Sequence, residues 1–154
     1  MGKEVILIAH RGNTNGPNPE LENTPDYIDS AIDAGYECEV DLRVVDGRLF
    51  LGHDAPTHEI TTKWLRRKKA HLYIHAKTKD TVQWLLINGN FNFFFHDKDE
   101  FTFTSEYHIW CYPAKEPIPF GINLMPEWNG LEPGDLKGCI GVCSDYISKY
   151  KGLK

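Results

Sequence analysis

No stretch of this 154-residue chain is long or apolar enough to resemble a membrane span. The run Val5-Ile6-Leu7-Ile8-Ala9 is too short for a signal-peptide core and is cut off at once by His10-Arg11. Basic charge is also scarce. The 17 lysines and arginines stand against 22 acidic residues, a formal net charge of −5, so no nucleic-acid partner is expected. An anionic ligand has to be held by local cations or a metal, against the overall field. No linker, low-complexity tract or repeat divides the chain, and residues 1–154 are expected to form one domain. The few cysteines, Cys38, Cys111, Cys139 and Cys143, lie in or beside apolar runs and lack zinc-finger spacing. They read as buried, reduced core residues of a cytoplasmic protein.

Apolar and aromatic residues are plentiful by contrast, at 41% and 12%, enough for a packed core. The recurring unit is a short apolar strand that ends in polar residues. Val5–Ala9 leads into His10-Arg11-Gly12. Glu37–Val45 alternates, with Glu37, Glu39, Asp41 and Arg43 on one face and Cys38, Val40, Leu42 and Val44 on the other. Asp46-Gly47 reads as a hairpin turn, and Arg48–Gly52 returns to His53-Asp54. Further strands are predicted at Leu72–Ala76, Phe91–Phe95, His108–Tyr112, Gly121–Met125 and Cys139–Cys143. Helices are predicted after Asn23-Thr24-Pro25, over Thr61–Ala70 and over Lys79–Ile87, and beyond Asn90 the helical signal fades.

Alternation of strands and helices predicts an α/β fold with parallel strands. Polar residues gathered at strand C-terminal ends suit a barrel or an open sheet with its site there. A full (β/α)₈ barrel usually takes about 250 residues. Read as a TIM-type (β/α) barrel, the fold the resemblance given below implies, the chain is expected to be compact, with several helices shortened or missing in the second half. Missing helices leave apolar strand faces that a second copy of the chain would cover, so a homodimer is among the expected partners.

Glu39 and Asp41, two apart on an alternating strand, can share one divalent cation through oxygen ligands of the kind Mg²⁺ or Ca²⁺ prefers. For this pair alone, a solvated strand face is the more ordinary reading. His75 and Lys77 repeat the spacing at another strand end. A lone histidine at a strand end is usually structural, but His10 and His53 together supply a general acid and a general base near neutral pH. Arg11 offers a planar fork for phosphate oxygens. Trp110 and Trp128 read as buried aromatics near strand ends.

In order, Ile8-Ala9-His10-Arg11-Gly12, Glu22-Asn23-Thr24, Ala34-Gly35-Tyr36-Glu37-Cys38-Glu39-Val40-Asp41, Asp46-Gly47 and Leu51-Gly52-His53-Asp54 resemble the glycerophosphodiester phosphodiesterase family. Ile140–Tyr146 is similar to that family's closing strand. The resemblance implies a TIM-barrel, cation-dependent hydrolase that splits a small glycerophosphodiester into a phosphomonoester and an alcohol. It makes His10 and His53 the acid/base pair, Glu39 and Asp41 metal ligands, and Arg11 a phosphate contact. Glu22 and Asn23 would line the site, and Lys77 matches the family's lysine. His75 stands where the family has a third acidic ligand. The resemblance therefore implies Mg²⁺ or Ca²⁺, whereas an imidazole in the set favours Mn²⁺ or Zn²⁺. Glu127, at another strand end, is a stand-in for the lost carboxylate. Two alternatives stay open: a lyase that stops at a cyclic phosphate, and a non-catalytic barrel that binds a phosphodiester.

Overall fold

The strand–helix rhythm of the first half is present in the computed structural model, which describes residues 3–114 and 116–154. Strand β1 (Ile6–His10) leads to α1 (Pro25–Asp33), β2 (Glu37–Val45), β3 (Arg48–Leu51) and β4 (His58–Ile60). Next come α2 (Thr62–Lys68), β5 (Leu72–Ala76), α3 (Lys79–Asn88) and β6 (Phe93–Phe94). The chain continues through β7 (Phe101–Phe103), β8 (Ile109–Cys111), β9 (Ile122–Leu124) and β10 (Gly141–Ser144). Each helix starts on a threonine. The side chains of Thr24, Thr61 and Thr78 accept the backbone N–H groups of Tyr27, Trp64 and Thr81, satisfying donors the first turn would otherwise leave unpaired. No helix among the described residues is long and apolar enough to cross a membrane.

The expected TIM-type barrel is not what forms. The strands make one ten-stranded mixed sheet that curls but stays open, a half-barrel with, among the described residues, three short α-helices, all of them before β6. A parallel run β8-β9-β10-β1-β2-β5-β6 carries the curl. Strands β3, β4 and β7 add antiparallel flaps. The physical reason is chain length. After β6 the connections are one hairpin and irregular segments with 3₁₀ turns, such as Pro126–Asn129 and Pro133–Leu136; they bring in β8, β9 and β10 as parallel strands but carry no covering α-helix among the described residues. At the open margin, β6 meets no strand on its outer side among the described residues. Ser105 serves instead: its N–H donates to the Phe93 carbonyl and its hydroxyl oxygen accepts from the Phe93 N–H, at 2.7 and 3.0 Å.

Two apolar clusters line the sheet's two faces. On the outer face Cys38, Val40 and Leu42 pack with Ile28 of α1, Leu65 of α2 and Leu85 of α3. On the inner face Ile8, Tyr73, Phe94, Trp110, Ile122 and Cys143 fill the concavity. Strand β2 is thus covered on both sides, and the expected solvated face does not exist. Glu39 and Asp41 are buried in it. All four cysteines are buried. Trp110 lies in the inner core as expected, but Trp128 does not: it is 69% exposed.

Candidate functional site

Register brings the polar strand ends together. His10 of β1 pairs with Glu39 of β2, and Asp41 of β2 pairs with His75 of β5. All four side chains therefore converge inside the curl. With Arg11 and His53 they line one cavity of ≈ 180 Å³. Arg11, Glu22, Asn23 and His53 also line an adjoining groove of ≈ 340 Å³. Each residue singled out from the sequence except Glu127 lies in or against this site.

Glu39, Asp41 and His75 form the centre, with one potential ligand atom from each lying within 4.8 Å of the others. Nδ1 of His75 is 3.4 Å from Asp41 Oδ1 and 3.9 Å from Glu39 Oε1. The His75 ring stacks on Phe94, at 4.8 Å between centroids. Asp41 is clamped from several sides. Asn23 Nδ2 donates to its Oδ2 at 3.0 Å, and the Asp41 N–H donates back to Asn23 Oδ1, also at 3.0 Å. Arg11 Nε stands 3.1 Å from Oδ2, and Lys77 Nζ 3.7 Å from Oδ1. Burial alone would push the Asp41 carboxyl up, but His75, Arg11 and Asn23 together hold it well below the usual range. Glu39 lacks such a clamp. Burial, reinforced by the charge of Asp41, pushes it up to about 7. Burial likewise lowers His75, against the pull of Asp41, which favours the neutral imidazole that has a lone pair to offer.

Arg11 and Asn23 are both non-glycine residues with positive φ, at 54° and 61°. Such backbone is uncommon and tends to persist where the surroundings over-determine it. Here the Arg11 N–H donates to the Glu39 carbonyl and the Asn23 N–H to the Arg11 carbonyl, fastening both loops to β2. Asn23→Ala removes both bonds to Asp41. It is expected to lower the melting temperature by several degrees, equivalent to roughly 1–3 kcal/mol for the buried groups left unpaired. A thermal melt of the metal-free variant checks this, and an unchanged melting temperature would contradict the clamp.

His10 carries a partner that sequence reading did not pair with it. Asp145, just beyond β10, lies with Oδ1 2.8 Å from His10 Nδ1. The same oxygen accepts from Asn13 Nδ2 at 2.8 Å, and Asn13 also donates to Glu22. His10 Nε2 is left facing Glu39 Oε2 at 3.6 Å. Burial would depress the His10 pKa, but Asp145 and Glu39 outweigh it and the net shift is upward. A strand end in Ser144-Asp145 was the one available signal; nothing local joins it to a histidine 135 residues earlier. His53 sits differently, half-exposed at the rim, with Nδ1 2.7 Å from Asp54. Its loop is held by Arg43, whose Nε donates to the Gly52 carbonyl at 3.0 Å and whose Nη2 donates to the His53 carbonyl. Gly52 fits there because a Cβ would stand 1.9 Å from the Ala55 carbonyl oxygen. Glu127 does not join the centre. It accepts hydrogen bonds from Ser144 and Tyr150 instead, at 2.7 and 3.1 Å.

The site suits a divalent cation on its own chemistry. Glu39 Oε2, Asp41 Oδ1 and His75 Nε2 are buried without a hydrogen-bond partner, a costly state unless something else occupies them. Four acids, Glu22, Glu39, Asp41 and Asp145, are gathered here, with Arg11 and Lys77 as the cations that pair with them. The chain matches no known family profile, no curated protein and no solved structure.

Proposed function

We propose that this protein is a divalent-cation-dependent phosphodiester hydrolase of the glycerophosphodiester phosphodiesterase type. The observation that carries the reading is the buried Glu39–Asp41–His75 cluster, opening into one cavity with His10, Arg11 and His53. Glu39, Asp41 and His75 would hold the cation, which when bound supplies Lewis-acid polarisation of the phosphoryl group. Arg11 and Lys77 offset the remaining phosphate charge. Arg11 is itself fixed by Asp41 and Glu22, so its fork meets the phosphate already oriented. One histidine takes the proton from the attacking hydroxyl or water, and the other delivers a proton to the departing alkoxide. Asp145 holds the His10 ring with Nε2 towards the cavity.

The direct test is turnover of glycerophosphodiesters with Mg²⁺, Ca²⁺, Mn²⁺ and Zn²⁺ in turn, followed by ³¹P NMR. A phosphomonoester product with at least one cation, abolished by a chelator, supports the reading. A cyclic phosphate as the end product would assign a lyase instead, and binding without turnover a non-catalytic role. The imidazole ligand is expected to favour Mn²⁺ or Zn²⁺. His75→Glu turns the set into three carboxylates, and is expected to shift the preference towards Mg²⁺ or Ca²⁺ by about an order of magnitude or more. An unchanged cation preference would remove His75 from the ligand set.

A further inference from the structure

The two hollows that meet at the site have unlike walls. The ≈ 180 Å³ cavity is lined by the cluster and by Phe94, Tyr112, Leu124, Met125 and Trp128, with Phe94 stacked on His75 itself. The adjoining groove is the more polar of the two, with Glu22, Asn23, Thr57 and His58 along it beside Pro19 and Ala55. Arg11 and His53 line both. A phosphodiester seated between these two residues therefore sends one substituent along polar groups and the other against aromatic and aliphatic carbon.

The apolar wall is built rather than incidental. Tyr112 is held by a stack on His96, at 3.3 Å between centroids, and Phe94 by a stack on Trp110 at 4.5 Å. Met125 takes a left-handed backbone, φ 45°, unusual for this residue, and starts the 3₁₀ turn Pro126–Asn129 that carries Trp128. The Trp128 N–H donates to the Met125 carbonyl at 3.0 Å. The indole is thus displayed at the cavity mouth while 69% exposed, an apolar surface that a ligand would cover. Charge argues for a neutral occupant. On this wall Phe94, Leu124, Met125 and Trp128 offer no carboxylate, so an ammonium group would lose hydration there without an ion-pair partner.

We infer that the alcohol arm lodged in the Tyr112–Met125–Trp128 half of the cavity is uncharged and apolar, an aryl-bearing or short alkyl group, with Trp128 as its stacking platform. This rests on the hydrolase reading above. The test compares the 2-phenylethyl and ethanolamine diesters of glycerol phosphate. The β-ammonium makes the ethanolamine alkoxide the better leaving group, so a preference for the phenylethyl diester reads recognition rather than bond strength. Wild-type kcat/KM is expected to favour the phenylethyl diester by about tenfold or more, through KM. Trp128→Ala should collapse that ratio to about unity, and Trp128→Phe should keep most of it. Equal use of both diesters, or a ratio that Trp128→Ala leaves intact, overturns the subsite and spares the hydrolase. If neither diester is turned over with any cation, the hydrolase reading falls. Calorimetry with 2-phenylethyl phosphate and phosphoethanolamine then decides the subsite: tighter binding of the former upholds it, and equal binding overturns it.

Discussion

His10→Ala is expected to lower turnover of a glycerophosphodiester by roughly 10²–10⁴-fold, the usual worth of a positioned acid or base. The loss should sit in kcat, because His10 faces the cluster through Nε2 and contributes little area for substrate binding. The ring is largely buried, so His10→Gln is the companion variant. It keeps most of the volume and a group able to bond Asp145, and should show the same loss with a near-native melting temperature. Asp145→Asn separates chemistry from positioning. The carboxylate touches no reacting atom; it fixes which His10 nitrogen faces the cavity. Its loss should be smaller, on the order of 10–100-fold, as for other groups that orient a functional imidazole. Wild-type rates in His10→Ala and His10→Gln would refute the acid/base assignment.

Adding Mn²⁺ is expected to raise the melting temperature, and to raise it more at pH 8 than at pH 6. Glu39 sets the sign. Its carboxyl in the fold is raised to about 7 by burial and by Asp41. A carboxyl raised on folding stabilises the protein while it carries its proton, fully below its unfolded value, and that contribution is lost as pH rises through about 7. The metal-free protein therefore weakens on this account towards pH 8, where the bare carboxylate beside Asp41 is left uncompensated. A cation binds that form without displacing a proton. Below the Glu39 pKa it must displace one, which costs about tenfold in affinity per pH unit. At about 100 times the dissociation constant the cation contributes roughly 2.7 kcal/mol, or about 5–10 °C for a chain of this size. At pH 6 the gain should fall to about half of that. Shifts equal at both pH values would take Glu39 out of the site, and no shift at either would take the cation out.

Local pattern carried the elements and the site residues because both are written at short range. The alternation in Glu37–Val45, the threonine caps before the three helices and the polar strand ends can each be read from a window of ten residues or so. The barrel could not be read that way. Sheet closure depends on how many strands and covering helices follow β6, and the helical signal had already ended there. Register was also out of reach, yet it is register that sets His10 beside Glu39 and Asp41 beside His75. Asp145 was legible as a polar residue and illegible as a partner. Asn23 looked like part of a helix cap, but Thr24 makes the cap and leaves Asn23 free to clamp Asp41. Trp128 reads from sequence as a buried aromatic near a strand end, with stacking on a ligand as the alternative. The left-handed turn at Met125 brings it out.

The pairing of β1 with β10 has a consequence for the order in which this molecule becomes competent. The groups from His10 to Lys77 emerge early in synthesis, and β1, β2 and β5 can begin to associate once residue 76 is out. Asp145 reaches His10 only after Ile6–Ala9 has zipped against Gly141–Ser144, the longest-range ladder in the sheet. Closing so large a loop is an entropic toll met late in folding. The nascent chain can thus gather its cation ligands while the histidine beside them still lacks its anchor. If the proposed hydrolase activity holds, competence would arrive with the docking of one late strand, and catalytic onset would serve as a clock for that final step.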